Sequence, residues 1–457
     1  MKRALCLLAL CSACGLANGL QGQPGGPANW AWHGPVALRN GDSGSPRVTT
    51  AQNKTWVTFA SYDSGAQTGT AWITSRPDRG AWSTPFALPA LPGWLGGAIY
   101  PEIAAGAQGS PVVVMEELSS NTGSVNYSVW AARLHGDSQL AASEFVRVDA
   151  ASGNSQLSQV RSLAMDSDGT AVLAWGEGQN LYTSVSPGNA VWTTPKSLDT
   201  STAGGWAGVD VAAGGGRALA GWSLGDSTAA VPLTTSGGFV NASAKRVFAT
   251  GNGLAAPALA LRGQEGMAIF PSGTGLGSQL YEAGSWSTVS TITTGGLAYY
   301  LEPLVSVNTK GQAVAVWRDA NGEGGYAGVL KASYWDLSSW SAPVTISVPG
   351  AGRKAWWAAL DINEVGQAVC AWADFDQTGT FTRIWANVLH LETGAPVWKG
   401  PVAIDQASPG VYLAGTPENV RYVGVAMDPQ GSQATVVWMQ HGPGTDATGY
   451  AWANWLE

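Results

Sequence analysis

Of 457 residues, 61 are Gly, 24 Pro and 23 Trp, and only 12% are charged. Lys and Arg are too sparse for helix-rich surfaces; the Gly, Ser, Thr, Val and Trp that dominate favour short strands joined by tight turns. A net charge of -8 leaves no basic stripe to displace counterions, so neither nucleic acid nor an anionic headgroup surface is expected as a partner.

The chain opens with Lys2 and Arg3 and then the apolar run "ALCLLAL", too short to span a bilayer and typical of an export leader. "CSACG" follows and resembles a bacterial lipobox with Cys14 as the lipidated residue, although Cys11 stands where Leu is usual; the alternative is ordinary cleavage after Ala17. Both readings export the protein, to an outer-membrane or periplasm-facing anchored state or to the medium. The expected organisation is a leader over residues 1–14, a flexible tether over 15–29 ("QGQPGGPAN" at its end) and one domain over 30–457. Cys370 is the one cysteine left in that domain, which excludes an intrachain disulfide; it is expected to be a small buried hydrophobe.

Four stretches share an outline: "MDSDGTAVLAW" ending at Trp175, "VNTKGQAVAVW" at Trp317, "DINEVGQAVCAW" at Trp372 and "MDPQGSQATVVW" at Trp438. Degenerate copies end at Phe59, Met115, Trp222 and Phe270, so the ends lie 47 to 66 residues apart by subtraction of neighbours. Four copies are trailed by Trp-x-x-Pro-x-x-Leu/Ile, as in "WSTPFAL" from Trp82 and "WKGPVAI" from Trp398, and "WSTVSTI" from Trp286 keeps the outline without Pro. Each unit reads as four short strands, and four-stranded units of this period are propeller blades. The prediction is an all-β propeller of eight blades, or seven if the unit around Phe270 is miscounted. The last unit lacks its Trp-x-x-Pro strand, and the N-terminal "WHGPVAL" from Trp32 supplies an orphan one. The N-terminal strand is therefore expected to complete the C-terminal blade and close the ring. Within each unit Asp166 and its counterparts should form the first turn through Asx bonding, with Gly169 at positive φ. "TAVLAW", apolar on both faces, should be sandwiched between blades.

Two sets of residues could carry function. Acids recur two positions past the apolar strand, at Glu117, Glu177, Asp319 and Asp374; they are expected in a loop, either ringing the central opening as weak cation ligands or tying down their own hairpins. The second set begins the inner strands and does not repeat: Arg47, Tyr100, Glu102, Arg161, Trp206, Tyr300, Glu302, Arg353, Trp356, Trp357, Arg421 and Tyr422. Converging on one axis, these aromatics, arginines and glutamates could form a carbohydrate or anion pocket, or could be channel packing with scattered charge. The four His residues lie far apart and offer no metal set, no cofactor motif is present, and no nucleophile motif appears.

The repeats resemble those of secreted bacterial β-propellers with degenerate sialidase-like (BNR-type) repeats. The resemblance implies an arginine clamp at which Arg47, Arg161 and Arg421 would stand by position; the Asp box of that group is absent. The leading expectation is a non-enzymatic propeller binding a glycan, a cell-envelope component or a protein at its axial face. The alternatives are a glycoside hydrolase or lyase using Glu102 and Glu302 as its carboxylate pair, and an outer-membrane assembly scaffold.

Overall fold

The structure is a computed structural model. It describes residues 30–457 apart from 40–42, 64–67, 92–99, 109, 122–123, 136–139, 150–160, 178–179, 189–190, 201–205, 225–226, 236–238, 241–244, 251–255, 264, 273–274, 295–302, 320–327, 349–353, 376–380, 393–394, 406–422, 432 and 442–448.

Each repeat forms its own antiparallel sheet, and there are eight of them. The innermost strands are Ser43–Ala51, Glu102–Ala104, Arg161–Met165, Trp206–Gly214, Ala258–Arg262, Leu304–Val307, Lys354–Ile362 and Val423–Met427, defining blades 1 to 8. Neighbouring innermost strands touch around the whole circle, blade 8 meeting blade 1, so the ring is closed. The chain is an eight-bladed β-propeller. Inner strands begin on one side of the disc, the mouth face, and turn into the second strands on the other, the turn face.

The both-sided apolarity of the second strand now has its cause. In "TAVLAW", Val172 and Ala174 pack into a cluster shared with blade 4, whereas Ala171, Leu173 and Trp175 pack into one shared with blade 2. Alternate side chains of a strand point to opposite faces, and in a propeller both faces are interfaces. Eight such clusters occur, one at each junction between blades. Trp175, Trp222, Trp317, Trp372 and Trp438 are among the largest fully buried side chains.

The trailing motif has a hydrogen-bonding logic. The Ser or Thr after its Trp pairs reciprocally with the third strand: Thr193 N donates to Val185 O at 2.8 Å while Val185 N donates to Thr193 Oγ1 at 3.0 Å. Ser341 does the same to Tyr334, and Ser287 to Leu280. Proline then interrupts the ladder, so the outermost strands are as short as two residues, Phe86–Ala87 in blade 1 and Val344–Thr345 in blade 6. Short, proline-broken edges resist pairing with other chains.

Asp166 does more than the sequence suggests. Asp168 Oδ1 accepts from Thr170 N at 2.8 Å and shapes the turn, helped by Gly169 at φ 85. Asp166 also reaches into the next blade, where its two carboxylate oxygens accept from Gly215 N at 3.0 Å and Gly216 N at 2.6 Å. On its other side, a Cβ at Gly106 of blade 2 would lie 1.9 Å from Asp166 O, so only glycine allows the approach. Asn308 plays a related part between blades 6 and 7, donating from Nδ2 to Asn363 O at 3.2 Å. Inner strands are stitched too: Asp210 Oδ2 accepts from Leu259 N at 2.8 Å, and Asp361 Oδ2 from Met427 N at 2.8 Å.

The N-terminal strand pairs into the last blade as expected. Val36–Arg39 runs antiparallel to Gly449–Leu456, with Val36 opposite Ala453 and Ala37 opposite Trp452. Ala31 N donates to Glu457 O at 3.1 Å and His33 N to Trp455 O at 3.0 Å. The joint is locked sideways by Arg76 of blade 1, buried at 2% exposure, which bonds the Glu457 carboxylate, Gly80 O and Gln433 Oε1. Its guanidinium lies 4.3 Å from the Trp455 ring centroid.

Candidate functional site

The repeating acids stand elsewhere than expected. Glu117, Glu177, Asp319 and Asp374 are not in loops: the second strands run through all four, and each is between 2% and 6% exposed. The reason is that the hairpin continues two residues past the tryptophan, keeping the acid in the ladder; Glu177, for example, pairs with Asn180. Their chemistry is internal. Glu117 Oε2 accepts from Trp130 Nε1 at 2.8 Å, Glu177 lies 3.5 Å from Trp175 Nε1, and Asp319 ion-pairs with Lys331. In blade 8 Gln440 takes the same place and accepts from Trp438 Nε1 at 3.0 Å. In blades 2, 3 and 8 the position thus accepts from an indole N–H, and in blade 8 a neutral amide suffices, whereas the Nε1 atoms of Trp317 and Trp372 in blades 6 and 7 are buried without a hydrogen-bond partner. Among the described residues no three His, Cys, Asp or Glu side chains are grouped to hold a metal.

Burial pushes the Glu117 carboxyl above its ordinary range, against the indole bond of Trp130 and the charge of Arg147. A carboxyl raised on folding contributes stability below its unfolded pKa and loses it as pH rises through the folded value. Glu117→Gln keeps an acceptor for Trp130 without the charge. The variant is therefore expected to match the parent near pH 4.5 and to melt higher at pH 7.5; a lower melting temperature at pH 7.5 would show that the charge is favourable where it stands.

The described members of the non-repeating set stand toward the mouth face. Arg47 lies opposite Thr58, Glu102 opposite Val114, Arg161 opposite Trp175, Trp206 opposite Leu224 and Trp356 opposite Ala373. All lie within two positions of the residue that ends the apolar run, so in five blades their backbones stand at nearly one level. Tyr100 precedes Glu102, and both are partly exposed. Tyr300, Glu302, Arg353, Arg421 and Tyr422 lie outside the described residues, and with Glu302 the carboxylate pair does too.

Blade 7 carries the most distinctive geometry. Trp356 pairs with Ala373 and Ala359 with Ala371, so Trp357 and Ala358 form a bulge opposite Trp372. Trp357 has φ 45, a left-handed conformation that costs a non-glycine residue about 1–3 kcal/mol and is held only where the surroundings enforce it. In a regular strand consecutive side chains point apart; here the Trp356 and Trp357 ring centroids are 6.1 Å apart at 51°. The guanidinium of Arg318, on blade 6, lies 4.5 Å from the centre of the Trp356 ring. Both indoles remain partly exposed while packing on the core between blades 7 and 8. Blade 1, on the far side of blade 8, repeats the bulge at the same level: Gly44 opposes Ala60, Arg47 opposes Thr58, and Ser45 has φ 52. Arg47 follows this bulge and bonds Pro46 O at 3.2 Å. Sequence reasoning singled out Arg47, Trp356 and Trp357 but missed Arg318 and the bulges. Non-glycine left-handed residues leave no compositional mark.

No protein-family model matches the chain, and no curated protein matches it. Solved structures do. A polysaccharide lyase of family PL25, an ulvan lyase, is similar with a TM-score of 0.48 at 9% identity, over 92% of this chain and 95% of its own. The Dos1 propeller gives 0.48 at 9%, over 93% and 94%. The NanB sialidase of Streptococcus pneumoniae gives 0.40 at 12%, over 75% and 68%. At such identities the likeness concerns the propeller fold and carries nothing about substrate.

Proposed function

We propose that the protein is an exported, lipid-anchored, non-enzymatic propeller that binds a glycan of the cell envelope on its mouth face. The observation carrying this reading is the pair of partly exposed indoles on the blade 7 bulge. A bulge that re-aims side chains beside an opening is a recurrent device of binding sites. Aromatic faces suit the C–H face of a sugar ring, with Arg318 beside Trp356, and Arg47 and Glu102 at the same level on blades 1 and 2, as the polar groups that would fix orientation. The failure of these residues to repeat from blade to blade favours one axial site over a ring of equivalent ones. Export and acylation at Cys14 rest on the leader and the "CSACG" sequence.

The test is binding to an immobilised panel of bacterial envelope polysaccharides. Trp357→Ala is expected to weaken binding by about 2 kcal/mol, roughly 30-fold, as loss of an aromatic anchor does. Its melting temperature should fall modestly, because alanine keeps the Cβ that strains the left-handed backbone and gives up the indole's packing on the blade 7–8 core, whereas Trp357→Gly removes that strain and should melt no lower than Trp357→Ala while binding as weakly. A wild-type protein that retains none of the panel would overturn the glycan reading.

A further inference from the structure

We infer that the propeller rests with its turn face toward a lipid surface and its mouth face directed away from it. This inference depends on acylation of Cys14, proposed above, and adds to it an orientation that the chain's topology dictates.

The register of the closing strand decides the direction. Ala31 and Trp32 pair with Glu457 and Leu456 at the end of the last strand, whereas Arg39 pairs with Ala451 nearer its start. Third strands run toward the turn face, so the closing strand runs from the turn face to the mouth face. Trp30, the first described residue, therefore stands at the turn face. The exit is fastened: the His33 ring stacks on Trp455 with centroids 5.1 Å apart, and its Nε2 lies 3.1 Å from Glu457 Oε2. Trp30 meets His390, in the third strand of blade 7, edge-on at 5.3 Å.

Lengths then separate the two orientations. Residues 15–29 lie between Cys14 and the exit; a relaxed Gly-rich linker of that length spans about 20 Å end to end, and only near full extension, about 50 Å, would it pass well beyond the disc. Second and third strands are mostly seven to ten residues long, which makes the disc roughly 25–30 Å high. A bilayer under the mouth face would require the connection to climb that height before meeting lipid; a bilayer under the turn face lies at the exit. Exposed groups on the turn face carry both signs, with Arg79 and Lys310 against Asp78 and Asp168. Headgroup attraction therefore does not hold the disc; the acyl chain does, and the turn face is simply the side that it brings near. The turn face is also where Asp166, Asn308 and their neighbours tie blade to blade, so the side nearest lipid is the stitched one.

The experiment uses the full chain, processed and acylated in a bacterial host and reconstituted into phosphatidylcholine–phosphatidylglycerol vesicles containing an acceptor-labelled lipid. Single cysteines at Lys310→Cys on the turn face and Tyr62→Cys at the mouth-side end of blade 1 carry the donor dye; Tyr62 is 39% exposed, and Cys370, at 0%, stays unlabelled. Energy transfer to the bilayer is expected to be several-fold stronger from position 310 than from position 62. Equal transfer, or stronger transfer from 62, overturns the orientation while flotation with the vesicles still upholds the anchor. A chain that does not float, or floats equally well as Cys14→Ser, overturns the anchor and the orientation with it.

Discussion

Replacing Trp438 by alanine is expected to lower the unfolding free energy by about 4 kcal/mol, the middle of the range for deletion of a large buried aromatic side chain. Trp438 is fully buried and belongs to the core joining blades 7 and 8, with Val369, Ala371 and Ile384 on one side and Val423 and Trp452 on the other. Truncation leaves a cavity between two rigid sheets that cannot close on it, and it strips Gln440 of its indole donor. Trp438→Phe should lose much less, because an aromatic ring still fills most of the space. The control is Trp192→Ala, at a partly exposed indole of the trailing motif in blade 3. Urea midpoints that shift equally for Trp438→Ala and Trp192→Ala would mean that the second-strand indoles do not hold the blades together.

The second large effect is expected at Arg76. Its side chain is 2% exposed and bonds three separate parts of the chain: its own turn at Gly80, the first turn of blade 8 at Gln433, and Glu457. Arg76→Ala leaves Glu457 with His33 as its remaining ion-pair partner and uncovers the Trp455 ring. Breaking a buried charge pair costs about 3–5 kcal/mol; Glu457 is 24% exposed, so solvent screening places the expected loss near the lower end, about 3 kcal/mol. The two predictions differ in where the damage shows. Amide exchange in Arg76→Ala should accelerate first in residues 31–38 and 449–457, ahead of the inner strands, whereas Trp438→Ala should loosen both sheets that flank it. Uniform acceleration over all eight blades would argue that Arg76 is not a local lock.

The blade count and the closure were legible because they rest on patterns longer than any local ambiguity. Five tryptophans at the same place in their units and an orphan "WHGPVAL" against a last unit lacking its fourth strand point to a closed ring of eight blades, with seven as the alternative if the unit around Phe270 is miscounted. What depended on register was not legible. From the sequence the acids after the tryptophans read as loop residues, because the apolar pattern stops at the tryptophan; two more ladder positions place Glu177 beside Trp175 and inside the protein. Asp166 followed by Ser, Asp and Gly reads as a local turn, and its bonds to Gly215 and Gly216 come from a unit about fifty residues away. The mouth is intermediate. That Arg47, Glu102 and Trp356 would share a level follows from the repeat, but the left-handed backbone at Ser45 and Trp357, which turns two adjacent indoles to one side, is a property of geometry that composition does not record.

The closing strand has a consequence for how the chain acquires its structure. Seven blades are built from hairpins of neighbouring residues and can form as each segment becomes available, with little loop entropy to overcome. Blade 8 is different: Gly34 N meets Asn454 Oδ1 across 420 positions, and joining ends that far apart costs about 5 kcal/mol of chain entropy beyond the constant term. The first strand to be made is thus the last to pair. A chain emerging N-terminus first must keep Val36–Arg39 unpaired until residue 457 has followed, and the slowest step of folding should be this single long-range docking. A short peptide copying residues 30–39 would compete for the same vacancy and trap the ring open while it forms, whereas the finished molecule, locked at Arg76, would ignore it.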